Sequence, residues 1–133
     1  MGYCLYGNDI DDITTPFEAN LMWITNLNKD FIGREKVLNS IKNSSKKMIN
    51  FKMIDRGIPR SGYEIIDDEG NNIGYVTSGG YAHFVKKSIA YSYLDKKICK
   101  TNEKFQIEIN GDFYDCSVLK EPLYDPRGTK MRS

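Results

Sequence analysis

Residues 104–119 read K-F-Q-I-E-I-N-G-D-F-Y-D-C-S-V-L, and this stretch decides the fold. Phe105, Ile107 and Ile109 alternate with Lys104, Gln106 and Glu108, the period of two expected of a strand with one buried face. Asn110-Gly111 follows, a strong two-residue hairpin signal, because a type I′ turn needs positive φ at both central positions. Phe113 to Leu119 is then predicted to pair back across the turn. The pattern recurs upstream. Lys47 to Ile54 alternates imperfectly and reads as a strand ended by Asp55-Arg56-Gly57-Ile58-Pro59. Tyr63 to Ile66 is the next strand, and Asp67 to Asn72 supplies a turn with Gly70 and two Asn where positive φ is needed. Ile73 to Ser78 runs into Gly79-Gly80, and Ser88 to Leu94 alternates in part through Ile89, Tyr91 and Tyr93. Six strands within about 75 residues, mostly joined by tight turns, predict a mainly β unit, a small antiparallel barrel or sandwich.

The first 45 residues read differently. Asp9, Asp11 and Asp12 precede Thr14-Thr15-Pro16, a turn-forming stretch without periodicity. Leu21-Met22-Trp23-Ile24-Thr25 is a short run of strand formers and is predicted as a strand. Val37, Leu38 and Ile41 fall on one face of a helix predicted from about Gly33 to Lys42. A strand and a helix are too little for a core. Trp23 and Phe31 therefore suggest that this prefix was cut from something larger.

Composition narrows the function. Nineteen basic against eighteen acidic residues leave a formal charge of +1, which argues against a nucleic-acid binder resting on a single-sign basic surface. No apolar run approaches the ~20 residues of a membrane span. The start, M-G-Y-C-L-Y-G-N-D-I-D-D, lacks the basic and apolar regions of a signal peptide. Cys4, Cys99 and Cys116 are odd in number and lack C-x-x-C spacing, which fits a reduced cytosolic protein better than a disulfide framework or zinc site.

No catalytic constellation emerges from the residues. His83 is the only histidine, so neither a metal site nor a Cys–His nucleophile pair has support, and a loop or surface role is expected. The acidic cluster of Asp9, Asp11 and Asp12 lacks the spacing of a calcium loop and is expected to be a solvated, turn-capping loop. Gly79-Gly80 has no adjacent Lys-Ser/Thr and is no phosphate loop. Lys86-Lys87 reads as a solvated turn. Arg56 and Arg60 could grip carboxylates as planar forks, but holding a turn is the simpler role.

Longer motifs carry more. Cys4-Leu5-Tyr6-Gly7-Asn8-Asp9-Ile10-Asp11, then Thr15-Pro16-Phe17-Glu18-Ala19 and Leu21-Met22-Trp23, resembles the L-Y-G-N-D-I-D…T-P-x-E-A-x-L-x-W signature of aminomethyltransferase, the T-protein of the glycine cleavage system. Lys29 to Glu35 is similar to that family's K-D-F-I-G-x-E, and Arg56 to Glu64 to its R-G-I-P-R-x-G-Y-E. Ile73 to Gly79 resembles I-G-x-V-T-S-G, and Lys86 to Ala90 resembles K-K-x-I-A. Five ordered motifs cover nearly the whole chain. One departure stands out: Gly80-Tyr81-Ala82-His83-Phe84 occupies the place where the family usually carries Ser-Pro, so that loop is expected to differ in shape.

The resemblance implies a C-terminal portion, since family members are about three times longer. Residues 1–45 would be the end of the folate-binding domain and 46–133 the C-terminal β-barrel. The family's catalytic Asp, with the Glu and Arg that grip the folate, would lie before Met1, leaving no catalytic residue and no metal ligand here. The implied parent reaction is a methylene transfer from an aminomethyl-lipoyl H-protein to tetrahydrofolate, with release of ammonia, in the bacterial cytoplasm. The barrel would close one side of a folate pocket in a three-domain ring. Tyr6 and Trp23 are candidates to line it, and Arg127 to meet the folate carboxylates. The portion by itself is expected to be inactive and to hold no folate tightly. Two alternatives stand beside this one. The chain could come from a related folate protein, of the dimethylglycine or sarcosine dehydrogenase kind or a tRNA-modifying one. It could also be a non-catalytic barrel interaction module, which expects Trp23 and Phe31 to pack onto the barrel.

Overall fold

A computed structural model describes residues 1–133. Six strands form a closed antiparallel barrel: β1 (Lys46–Met53), β2 (Glu64–Ile66), β3 (Asn72–Ala82), β4 (Lys87–Asp95), β5 (Lys104–Ile109) and β6 (Asp112–Leu119). Their order around the barrel is β1-β4-β3-β2-β5-β6, and β1 meets β6 through the pairs Asn50–Leu119 to Met53–Cys116 to close it. Closure leaves no sheet edge exposed, which is the barrel's solution to unpaired backbone groups. All six predicted strands are present.

Alternation sets the core. Ile49, Phe51 and Met53 of β1 point inward, as do Phe105 and Ile107 of β5. Phe51 packs its ring edge-on against Phe105 with centroids 5.0 Å apart, and Ile65, Val76, Leu94, Cys116 and Val118 fill the remaining space. Burial pushes the Cys116 thiol up to about 12, with the carboxylates of Asp115 and Asp55 adding to the shift. It is an inert filler of the core.

The β5–β6 hairpin turns at Asn110 (φ 54°) and Gly111 (φ 87°), both left-handed as the Asn-Gly signal requires. β3 is longer than expected and runs through Gly79-Gly80, with a bulge between Val76 and Ser78. Gly79 is needed there because a Cβ would sit 2.8 Å from both the Ala90 Cβ and the Pro59 oxygen. The segment around Arg56 and Arg60 can therefore lie directly on the barrel wall. Its turn is held by the backbone: Tyr63 N donates to Arg60 O and Gly62 N to Val76 O.

The prefix departs from expectation at one element. Residues 21–25, predicted as a strand, form a 3₁₀ turn over Met22–Ile24. Ile24 N donates to Leu21 O, Thr25 N to Met22 O, and the Thr25 hydroxyl also reaches Leu21 O. A strand needs a partner edge, and the closed barrel offers none. Local i→i+3 bonds satisfy the backbone instead. α1 (Arg34–Asn43) matches the predicted helix within a residue, starting after Gly33 in a left-handed conformation and burying Val37 and Ser40.

Replacing Gly111 with Val should destabilise the barrel by about 1–2 kcal/mol, since a β-branched residue resists positive φ. Thermal unfolding checks this. An unchanged melting temperature would count against the turn's role.

Candidate functional site

The N-terminal loop is tied to the barrel by one side chain. Asp9 was expected on a solvated loop and is instead buried, 3% exposed. Its Oδ1 accepts hydrogen bonds from Thr77 Oγ1 (2.6 Å) and Ser78 Oγ (2.5 Å), both on β3, and its Oδ2 accepts from Leu5 N (2.9 Å). The Tyr93 hydroxyl on β4 donates to the Asp9 carbonyl oxygen at 2.5 Å. A buried carboxylate needs such donors, and residues 68 and 69 positions away supply them. Burial, with the nearby Cys4 and Asp9, pushes the Tyr93 hydroxyl well above its usual range and the Tyr91 hydroxyl up to about 12, so both remain neutral and Tyr93 keeps the proton it donates. Asp11 does cap a turn, accepting from Thr14 N and Oγ1, as its sequence context suggested.

A second set of bonds secures the prefix farther along. Met48 N donates to Glu18 O at 2.7 Å, and Asn20 Nδ2 donates to Met48 O at 2.6 Å. The Glu18 carboxylate accepts from Ser44 Oγ on one oxygen and from Thr15 N and Oγ1 on the other. Burial would raise the Glu18 carboxyl, but the bonds from Ser44 and Thr15 and the Lys46 ammonium outweigh it and hold the group below its usual value.

With the loop fixed, the C-terminal tail faces it across a cleft of about 540 Å³. Tyr3, Leu21 and Trp23 of the prefix and Lys120, Arg127 and Arg132 of the tail line it. Trp23 is 78% exposed and offers an aromatic face, and Arg127 keeps an exposed guanidinium. Arg132 folds back on its own turn, donating from Nε to Gly128 O and from its guanidinium to Arg127 O. An apolar groove of about 270 Å³ adjoins this cleft. It is lined by Gly79, Gly80, Ile89, Tyr91 and Leu123, and it shares Met1, Asn50 and Pro122 with the larger space.

The candidate site residues thus divide. Trp23 and Arg127 border the same cleft, whereas Tyr6, 69% exposed on the latched loop, does not line it. His83 is exposed at the β3–β4 hairpin, its ring edge-on to Tyr81 with centroids 5.0 Å apart. Arg132, suggestive in sequence beside Arg127 as an arginine of the polar tail, lines the cleft too, whereas Lys120 was not foreseen, because nothing in its local sequence says which wall the tail lies against. The interaction-module alternative expected Trp23 and Phe31 on the barrel. Trp23 projects outward instead, Phe31 is 37% exposed, and its neighbour Ile32 is fully exposed.

The closed six-stranded barrel has a counterpart among known domains: residues 46–125 match the glycine cleavage T-protein C-terminal barrel domain. The chain is 42% identical over 126 residues to an aminomethyltransferase of Bacteroides thetaiotaomicron, covering 92% of this chain and 35% of that protein. It is 35% identical over 130 residues to the Thermotoga neapolitana aminomethyltransferase, covering 98% and 35% respectively. The crystal structure of glycine cleavage system aminomethyltransferase T from Bartonella henselae superposes with a TM-score of 0.87 at 32% identity, over 94% of this chain and 36% of that one. The chain belongs to the glycine cleavage T-protein, or aminomethyltransferase, family and corresponds to its C-terminal portion. It spans about a third of the length of the curated relatives it matches.

Two measurements test the attachments. Asp9→Ala strands the Thr77 and Ser78 hydroxyls and should cost about 2–4 kcal/mol, the range for breaking a buried charged hydrogen-bond set. Proteolysis should then cut within residues 1–10 before the barrel unfolds. The Glu18 contribution has a pH signature. Its folded pKa is lowered, so its stabilisation is complete above the unfolded value of about 4.3 and is lost as pH falls through the folded one. Glu18→Gln should therefore flatten the acid limb of the stability profile below about pH 4.3 and leave the neutral slope unchanged.

Proposed function

We propose that this chain supplies one wall of the folate site in an aminomethyltransferase of the glycine cleavage system. On this reading the parent enzyme takes the methylene group of an aminomethyl-lipoyl H-protein, joins it to tetrahydrofolate and releases ammonia, as a step of glycine catabolism in the bacterial cytoplasm. Residues 1–45 act as the end of the folate-binding domain, and 46–133 as the barrel that closes over it. The observation carrying the proposal is the cleft that Trp23 and Arg127 both line.

The chemistry of those two side chains suits an amphipathic anion. A guanidinium binds a carboxylate through a planar fork, which suits the glutamate end of a folate. An exposed indole gives a flat heterocycle a stacking surface. The adjoining apolar groove extends the wall toward β3 and β4. Tyr6 lies at the exposed rim of the latched loop, where it would meet the portion of the enzyme that the relatives carry before this region. The apolar residues that face solvent on the prefix, Leu5, Tyr6, Ile13, Trp23, Ile24 and Ile32, fit the same role. Patches of this kind mark surfaces that are covered in the working assembly.

No residue here fills the role of the family's proton-handling Asp. Asp9 is committed to Thr77, Ser78 and Leu5, and His83 stands at the hairpin away from the cleft. The chain alone should therefore show no methylene transfer. Its binding should be millimolar or weaker, because one charged contact contributes only about 1–3 kcal/mol. Calorimetric titration with tetrahydrofolate tests this, first on the chain alone and then with the family's N-terminal two-thirds supplied in trans. Binding that appears only on complementation supports a shared pocket. Micromolar binding by the chain alone, or no binding in either arm, would overturn it.

A further inference from the structure

The last strand ends at Leu119, and residues 120–132 then cross both cavities as a strap. No backbone hydrogen bond joins this strap to the barrel; its one loop bond, Gly128 N to Asp125 O, is internal. Side chains seat it instead, one of them the Tyr3 hydroxyl, which would lie 3.6 Å from a Cβ at Gly128. Pro122 rests against Gly2, where a Cβ would meet the proline ring at 2.5 Å. Tyr124 stacks on Phe84 at the tip of the β3–β4 hairpin, with centroids 5.3 Å apart and planes 30° from parallel. The Lys130 ammonium covers the Tyr124 ring at 4.6 Å.

Beyond Tyr124 the strap is bonded to itself. Asp125, at φ 47°, accepts from Thr129 N and Oγ1 and from Lys130 N, which closes residues 125–130 into one knot. Arg127 sits inside that knot. Its position over the cleft therefore follows the seat of Tyr124 on Phe84 together with the Tyr3 hydroxyl beside Gly128. Phe84 has no part in the core and is 86% exposed, yet it provides the barrel's half of that seat.

We infer that Phe84 is a positioning residue for the strap: by stacking on Tyr124 it holds the 125–130 knot, and with it Arg127, against the cleft. Loss of the ring frees the strap to swing outward on residues 120–123 while the barrel stays intact. The ligand consequence rests on the folate-wall proposal above; the mechanical one does not.

Backbone 15N relaxation on the full chain tests it, comparing the unaltered protein with Phe84→Ala and Phe84→Tyr. Order parameters over residues 124–132 should fall in Phe84→Ala as the knot moves as a body. Those over 104–119 should not change, and Phe84→Tyr should restore the tail. In parallel, p-aminobenzoylglutamate is titrated to millimolar concentration while the Arg127 Nε and Trp23 indole NMR signals are followed. The Arg127 response should weaken in Phe84→Ala about two- to twelvefold, the range for losing one aromatic pair. Unchanged tail order in Phe84→Ala, equal loosening of tail and barrel, or failure of Phe84→Tyr to restore the tail would each overturn the inference. A looser tail with no ligand response even in the unaltered protein would uphold the positioning role and remove the folate proposal alone.

Discussion

The Asp9 carboxylate accepts two hydroxyl donors from β3 and one amide donor from its own loop, and this small set fixes how the prefix sits on the barrel. Charge makes the arrangement demanding. A carboxylate removed from water without donors is strongly unfavourable, so the loop, Thr77 and Ser78 must be in place together. The Tyr93 hydroxyl on the Asp9 carbonyl extends the same tie to β4. The first face of the cleft descends from this latch, because residues 1–4 and the 3₁₀ turn bearing Trp23 lie where the latched loop leads them.

The closed barrel explains the rest of the prefix. Pairing of β1 with β6 removes every free edge, so residues 21–25 could not join the sheet despite their strand-forming composition. They turn back on themselves and leave Trp23 outside. The same closure ends the ladder at Leu119, after which the chain depends on side-chain seats. A rigid container thus carries two attachments of different strength: a buried ionic latch at the N-terminal side and an exposed aromatic stack at the C-terminal side.

Much of this was legible in the residues, and the limits have physical causes. Strands with clean alternation, such as Lys104 to Ile109, and turns with forced φ, such as Asn110-Gly111, depend on near neighbours and are written locally. The family motifs located the chain within a larger enzyme for the same reason. Asp9 was misjudged because its burial depends on Thr77 and Ser78, far along the chain, and no local spacing announces them. The run 21–25 was misjudged because strand propensity acts only where an edge exists. Trp23 and Arg127 were nominated from the resemblance, but that they share a cleft follows from two attachments that neither segment encodes by itself. Phe84 was marked only as part of a loop that departs from the family pattern: an exposed aromatic in a hairpin reads as surface until Tyr124 is seen against it.

On the proposed reading, a wall of this kind would contribute little binding by itself and still matter to a reaction. Arg127 is solvent-exposed, and exposed charged contacts are weak. Its value rises when the facing surface excludes water, because a charge pair strengthens as its surroundings become less polar. The exposed apolar residues of the prefix are placed to bring such a surface close. Orientation adds a second gain, since a group already held in position spends no further entropy when the ligand arrives. A latch that is firm and a strap that is lightly seated suit these two needs. The firm side sets the geometry of the cleft, and on the proposed reading the light side would carry the guanidinium to the ligand.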